Sequence, residues 1–562
     1  MKMNLRKKLI STSLSLAIAG MMSGVTLAAD DVKLNATKTN VAFSDFTPTE
    51  YSTKNKPNVI VITVDDLGYG QLPFDETSFD PKSMEDRDVV DTYKIGIEQA
   101  IKAAKKSTPT LQTLMNDGVK LTNGYVAHGV SGPSRAAIMT GRSPARFGIY
   151  SNTDAQDGVP LEELFLPELF QKHGYYTAAI GKWHLSKISN VPIDEKKQTR
   201  DYHDNFITYS DEPWQPQNRG FDYFMGYHAA GVAYYNSPSL FKNRERVPAV
   251  GYSSDQLTNE AIGVVDRAKM LNEPFMLYLA YNAPHLPNDD PAPDVYQKHF
   301  NTGNQTADNF YASVYSVDQG VNKLLSQLEK NGQLDNTIIF FTSDNGAVID
   351  GPLPLNGAQK GYKSQTNPGG VHTPMFVWWK GKLQNGNYDK LTSAMDFFPT
   401  ALDAAQIERP KNLDGVSLLP YITKDKKDSK ITAPEPHKNL AWVNVYSHWF
   451  DEENIPFWDG YHKFVRNESD DYPHNPNTED LSQFSYTVRN NDYSLIYTVE
   501  NNQLGLYKVT DLQEKDNLVK NKPEVVAEMQ KTMKEFINTS KEPINDVNKE
   551  KFGEIKKSLN MQ

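Results

Sequence analysis

The feature that most limits what this chain can become is a recurring plan: a short unbroken apolar strand that stops on a small polar cluster. Residues 58–64 stop on Asp65-Asp66, and residues 176–180 run into Gly181-Lys182-Trp183-His184. Residues 275–281 lead to Asn282-Ala283-Pro284-His285, and residues 337–342 to Ser343-Asp344-Asn345-Gly346. Continuous β-branched and aromatic runs without alternation belong to strands buried on both faces. Helical patterns lie between them, among them 110–117, 161–173 and 311–330. Strands alternating with helices predict an α/β fold with a large, mostly parallel sheet flanked by helices. Ligands bind such sheets beyond the carboxyl ends of the strands. The four polar clusters are therefore expected to converge on one crevice.

A second stretch bears on chemistry. Ser131 stands two residues before Pro133, and Ala136, Ala137, Ile138 and Met139 continue an apolar helical run. Proline favours the first helical turn, so Ser131 is expected where a loop enters a helix, facing backbone N–H groups able to hold an anion. Arg135, about one turn on, can aim a planar charged fork at the same anion. A hydroxyl beside such a cradle is a candidate nucleophile. A capped helix with a surface arginine would carry the same residues.

The run Ser131-x-Pro133-Ser134-Arg135, followed after four residues by Thr140-Gly141-Arg142, resembles the signature of the sulfatase family, within the alkaline phosphatase superfamily. The resemblance extends over roughly 58–538. In that family the first signature position is oxidised to formylglycine (3-oxoalanine), and a serine there resembles the serine-type bacterial arylsulfatases. The resemblance implies an alkaline-phosphatase-like sheet with a small C-terminal antiparallel sheet plus helix. It implies hydrolysis of a sulfate ester to an alcohol or phenol and inorganic sulfate, through a sulfated enzyme. It also implies a transient partner, a cytoplasmic radical S-adenosylmethionine maturase bearing iron–sulfur clusters.

Taken alone, Asp65-Asp66 and Asp344-Asn345 are equally compatible with polar turns. Together they offer hard oxygen donors suited to Ca²⁺ or Mg²⁺ rather than a transition metal. The resemblance makes Asp65, Asp66, Asp344 and Asn345 ligands of one Ca²⁺, completed by the modified Ser131. It gives Lys182 the sulfate and formylglycine oxygens, His184 the hydroxyl proton, and His285 the leaving group and sulfate. Each of these would otherwise read as a loop residue. Lys363, six residues before Gly369-Gly370, matches the family's active-site lysine, with Lys360 as the competitor. Pro368 replaces the family's usual glutamate in that segment. His128 reads as a packed loop histidine. His228, near Tyr234 and Tyr235, reads either as a wall of the leaving-group pocket or as part of an aromatic core. His203, His372 and His448 receive no role, and the sequon at Asn467 carries little weight.

Length and composition bound the rest. The chain has 562 residues, 38% hydrophobic and 23% charged, ordinary values for a soluble globular protein. A net charge of −11 argues against nucleic acid as a partner. It also means that an anionic substrate must be drawn by a local cationic site. The absence of cysteine excludes disulfides, thiolate metal sites and a thiol nucleophile. Lys2, Arg6, Lys7 and Lys8 precede a short apolar run, and small residues at 28 and 29 offer a cleavage site near Asp30. This reads as an export signal, leaving a periplasmic or secreted protein without stable membrane association.

The expected division is a signal peptide at 1–29, a catalytic domain at 30–430 and a C-terminal subdomain at 431–562. Residues 75–106 form a polar insertion, and 424–437 read as a linker. Strand-like pieces at 485–489, 493–499 and 505–509 and a helix at 523–538 make up the last part. Two rival functions follow from the same residues. One is a phosphomono- or phosphodiesterase of the same superfamily, which needs histidine ligands where Asp344-Asn345 stands. The other is an exported non-catalytic binder of sulfated glycans. Aryl sulfates, sulfated sugars and other sulfate esters present the same head group, so the leaving group stays open.

Overall fold

The structure, a computed structural model, describes residues 56–72, 74, 81, 93–192, 206–229, 234–286, 290–348, 351–423, 435–447, 482–499 and 501–561. The proposed signal segment, most of the 75–106 insertion, the core of the 424–437 linker and the sequon fall outside these residues.

The main sheet has 10 strands. In chain order they are β1 (Asn58–Val64), β2 (Val119–Leu121), β3 (Tyr176–Lys182), β4 (Tyr223–Tyr227) and β5 (Phe241–Lys242), then β6 (Glu245–Arg246), β7 (Phe275–Ala280), β8 (Thr337–Ser343), β9 (Met375–Trp379) and β10 (Gly386–Tyr388). Their spatial order is β10-β2-β9-β8-β1-β7-β3-β4-β5-β6. The central run β8-β1-β7-β3-β4 is parallel throughout. Antiparallel strands flank it on both sides. The four predicted strands are thus the four neighbours β8, β1, β7 and β3, and their carboxyl ends share one edge.

Side chains alternate across a strand, and here both sets are apolar. Val59 and Val61 join Met276, Tyr278, Ile338 and Phe340 in the core on one face. Ile60 and Ile62 join Leu277, Leu279, Ile339 and Phe341 in the core on the other. Each fully buried side chain of this size contributes about 1.5–3 kcal/mol, so neither face tolerates a one-residue slip. The second face carries α1 (Ile97–Ser107), α2 (Pro109–Asp117), α5 (Ser253–Leu271) and α6 (Gln305–Lys330). The first carries α3 (Ser131–Thr140), α4 (Leu166–Lys172) and α7 (Phe397–Ala404).

Element boundaries depart from the sequence expectation for local reasons. The helix expected over 161–173 is confined to α4, with Pro167 in its first turn setting the start. The helix expected over 311–330 starts earlier, because the Asn304 side chain accepts from the N–H of Ala307 and caps it. The end of the polar insertion is α1, whose Ala100, Ile101, Ala103 and Ala104 are buried.

A second, 4-stranded antiparallel sheet is formed by β11 (Leu440–Ser447), β12 (Ser482–Arg489), β13 (Tyr493–Thr498) and β14 (Gln503–Lys508). Helix α8 (Pro523–Asn538) places Val526, Met529, Met533 and Ile537 in this core, and α9 (Asp546–Ser558) adds Phe552 and Ile555. β11 and α9 were not expected from the sequence. β11 also reaches the main core, where Leu440 and Trp442 pack.

Candidate active site

The carboxyl ends of β1, β3, β7 and β8 deliver Asp65-Asp66, Lys182 with His184, His285 and Asp344-Asn345 respectively. Ser131 is the first residue of α3 and is buried with the whole helix. Its Oγ lies 3.3 Å from Asp65 Oδ1, 3.3 Å from Asn345 Oδ1 and 3.3 Å from Lys182 Nζ. Residues that are hundreds of positions apart in sequence thus meet at one hydroxyl.

The expected anion cradle differs from the sequence reading. Pro133 has no N–H to offer, and the N–H of Gly132 is engaged by Asn152 Oδ1 at 2.9 Å. The cationic side chains take over that task. Nor is Arg135 aimed at open space. Its guanidinium donates to Asp344 Oδ2 at 2.9 Å through Nε, with Nη2 at 2.8 Å from the same oxygen and 3.6 Å from Asp65 Oδ1. Nη1 reaches the Lys182 carbonyl and the Tyr278 hydroxyl, each at 3.2 Å. Arg135 is fully buried, so it orients the carboxylates from behind. Tyr278, inside an apolar strand, carried no sequence signal for this role.

Lys182 Nζ lies 2.6 Å from Asp65 Oδ2. Lys363 Nζ lies 2.8 Å from Asp66 Oδ2 and 3.3 Å from His285 Nε2. Lys360 instead reaches Glu514 at 3.8 Å and is half exposed, so Lys363 is the lysine that the loop brings to the cluster. His285 Nδ1 lies 2.8 Å from the Leu286 carbonyl. As a donor there, it leaves the Nε2 lone pair to accept from Lys363. The Tyr234 hydroxyl holds the His285 carbonyl at 2.7 Å.

His184 has φ +59°, and Asp66 has φ +63°, backbone that costs an ordinary residue about 1–2 kcal/mol. Hydrogen bonds hold the His184 turn: the N–H of Trp183 donates to Tyr227 O at 2.9 Å and that of His184 to His228 O at 3.0 Å. Both ring nitrogens of His184 are buried without a hydrogen-bond partner among the described residues. His228 is stacked between Phe224 and Phe241, so of its two readings the aromatic core applies. His128 is buried, accepts from the N–H of Val130 at 3.3 Å, and is pushed by burial to about 4. His372 is likewise a packing residue, stacked on Tyr69 and Tyr125.

Charge is balanced locally. Asp65, Asp66 and Asp344 face Arg135, Lys182 and Lys363. Burial pushes the Asp65 carboxyl up, but Lys182 and Arg135, joined by His285 only when it is protonated, outweigh it and hold the group below the usual carboxylate range. Burial acts likewise on Asp66, where Lys363, joined by His285 only when it is protonated, prevails. Burial lowers Lys182 despite Asp65. Burial would lower Lys363 too, but Asp66 and Asp65 raise it. Burial, reinforced by Lys182 and Arg135, drives His184 well below its ordinary value, and burial with Lys363 lowers His285. Both imidazoles are therefore neutral at pH 7.

The donor set fits a hard divalent cation. Asp65, Asp66, Asp344 and Asn345 are almost fully buried and all oxygen-bearing; Asp65 and Asn345 reach Ser131 Oγ, Asp66 accepts from Asn345 Nδ2 at 2.7 Å, and Asp344 accepts from the N–H of Asp66 at 3.2 Å. Asp65, Asp66 and His285 also bring potential ligand atoms within 4.8 Å of one another. His285 is the weaker member of that group, because its Nε2 is engaged by Lys363 and hard cations prefer oxygen.

Comparison with known proteins identifies the family. The sulfatase family model matches residues 57–407. YdeN of Escherichia coli strain K12, described as an uncharacterized sulfatase, is 78% identical over 562 residues, covering 100% of this chain and 99% of its own. Mouse N-acetylgalactosamine-6-sulfatase is 29% identical over 404 residues, covering 66% of each chain. The crystal structure of Ps i-CgsB in complex with k-i-k-neocarrahexaose superposes with a TM-score of 0.66 at 26% identity, covering 90% of this chain and 98% of that one. A crevice with a buried hydroxyl, three carboxylates and three cations thus lies within a segment that a single family accounts for: the chain belongs to the sulfatase family, whose members are sulfuric ester hydrolases.

Proposed function

We propose that this sulfatase works through formylglycine made from Ser131, with one Ca²⁺-class cation held by Asp65, Asp66, Asp344, Asn345 and the modified residue 131. The observation that carries the reading is the meeting of Asp65 Oδ1, Asn345 Oδ1 and Lys182 Nζ at 3.3 Å from Ser131 Oγ. An aldehyde hydrate at position 131 supplies one hydroxyl to attack sulfur and a second whose ionisation releases sulfate, which a simple serine ester lacks. When bound, the cation would supply fixed positive charge to offset the charge of the sulfuryl group.

The chain's own residues divide the remaining work. Lys182 donates to oxygens at position 131 and to the sulfuryl group, and Lys363 neutralises the far side of that group. Arg135 holds Asp344 and Asp65 in place for the cation. Neutral His184, with both ring nitrogens unpartnered, accepts the hydroxyl proton whose loss expels sulfate. His285 is neutral with its Nε2 lone pair turned to Lys363, so Lys363 is the source of the proton for the departing alcohol, delivered directly or through His285.

The substrate is a sulfated saccharide in this reading, and the leaving group is the saccharide hydroxyl freed of its sulfate. Support comes from the names of the relatives, an N-acetylgalactosamine-6-sulfatase and an enzyme solved with a neocarrahexaose. Export by residues 1–29 would place the enzyme where such polymers are met.

Mass spectrometry of the peptide carrying Ser131 tests the central claim. Co-expression with a radical S-adenosylmethionine maturase should leave it lighter by one pair of hydrogens, with turnover rising in proportion to the shifted fraction. Full activity with an unshifted peptide would refute the formylglycine route. A panel of sulfated oligosaccharides set against aryl sulfates tests the leaving group, and higher kcat/KM on every aryl ester would refute the saccharide assignment.

A further inference from the structure

Lys363 reaches the cluster from an irregular loop rather than from a strand end or helix. That loop, 360–367, is tied at both ends and in the middle. Within the main domain the N–H of Lys363 donates to Ala347 O at 2.9 Å and the N–H of Ser364 to Gly129 O at 2.7 Å. Further ties come from the C-terminal sheet and the segment after it. Asn444 Nδ2, on β11, donates to Ser364 O at 2.6 Å. Thr487 Oγ1, on β12, donates to Thr366 Oγ1 at 2.6 Å. Past β14, Glu514 Oε2 accepts from Asn367 Nδ2 at 2.6 Å, and Leu512 O accepts from the N–H of Lys360 at 2.8 Å.

Ser364, directly after Lys363, has φ +82°. A non-glycine residue holds such a conformation only when its surroundings over-determine it. Here Gly129 grips its N–H and Asn444 its carbonyl, so the peptide planes on both sides of Ser364 are set. Asn444, Thr487 and Glu514 are all buried, where a hydrogen bond is not easily exchanged for water.

We propose that Asn444, Thr487 and Glu514 are positioning residues: the C-terminal sheet aims Lys363 at the substrate's sulfate group. The proposal rests on the reading that Lys363 contacts that anion. It makes the second sheet a working part of the catalytic crevice.

The test is calorimetric binding of inorganic sulfate to the full-length, maturase-treated protein with calcium, beside melting temperature and the kcat and KM of sulfate-ester hydrolysis. Asn444→Ala and Thr487→Val should each weaken sulfate binding about 3- to 10-fold and lower kcat, while Thr487→Ser, which keeps the hydroxyl, restores both. In a Lys363→Ala background, Asn444→Ala should cause no further loss of sulfate affinity, which a purely structural role would not produce. If Lys363→Ala weakens sulfate binding and the Asn444 and Thr487 variants do not, the positioning role is overturned. If Lys363→Ala itself leaves sulfate affinity unchanged, the assignment of Lys363 to the anion falls first and takes this proposal with it. A loss in Asn444→Ala that persists undiminished in the Lys363→Ala background also overturns it.

Discussion

Lys182 Nζ stands 2.6 Å from Asp65 Oδ2, and both side chains are essentially sealed from solvent. Removing one partner of a buried pair strands the other charge, at about 3–5 kcal/mol. Lys182→Ala should therefore lower turnover by about 10²–10³ and make the melting temperature more dependent on added calcium than in the wild type. Turnover near the wild-type value would remove Lys182 from the mechanism.

His184 faces the opposite test, since it forms no ion pair among the described residues. His184→Ala should lose about 10²–10³ in kcat with little change in melting temperature. Single-turnover experiments should show sulfate release slowed more than release of the alcohol. Equal slowing of both steps would contradict its assignment to the second proton.

Chelation addresses the oxygen cluster as a whole. Stripping divalent cations should abolish turnover and lower the melting temperature, and calcium should restore both. At a hundredfold excess over Kd the added stability is about 2.7 kcal/mol. In Asn345→Ala, which removes one donor, the calcium concentration needed for recovery should rise.

Gly346→Ala probes how the ligand loop is held. A Cβ at position 346 would sit 1.7 Å from the Gly369 carbonyl oxygen, while the N–H of Gly346 donates to Gly370 O at 2.9 Å. The two backbones must separate, at about 1–3 kcal/mol, and Asn345 moves with them. Both melting temperature and turnover should fall, which circular dichroism and an ester assay would measure. Gly369 and Gly370 are crowded in their own right, since a Cβ at 369 would sit 2.0 Å from the Gly361 carbonyl oxygen and one at 370 would sit 2.1 Å from that of Gln365.

One contributor to the pH dependence of stability that lies outside the crevice is His437. His437 Nε2 lies 2.7 Å from Asp396 Oδ1. Burial lowers this imidazole, but Asp396 outweighs burial and raises it above the ordinary histidine value. A raised folded-state value means that the protonated pair stabilises fully below about pH 6.5 and fades as pH climbs through the raised value. His437→Ala should cost about 1.5–3 kcal/mol at pH 6 and less at pH 9, read from thermal melts. An equal cost at both values would refute the charged pair.

Much of the crevice was legible because each strand announces its own end. A buried parallel strand is a continuous apolar run, so the first polar residues after it mark the sheet edge without any tertiary information. Asp65, Lys182, His285 and Asp344 are placed in this way. Residues acting from inside such runs carry no such mark. Tyr278 binds Arg135 from mid-strand, and Asn152 takes the N–H of Gly132 from a separate short helix. The Ser131 helix start was placed correctly, but the expected backbone cradle was not, since proline's missing N–H and a remote asparagine together remove it. β11 was missed because it borders a polar stretch, and α9 because Phe552 and Ile555 are too sparse to declare a periodicity.

The four neighbouring parallel strands have one consequence for how such an enzyme diversifies. Their shared ladder fixes the spacing of the reacting groups as rigidly as teeth on a comb, so the sulfuryl-handling centre cannot drift one residue at a time. Segments outside that ladder are free of this constraint. New leaving groups can be accommodated by exchanging those segments while the inorganic half of the reaction is inherited unchanged.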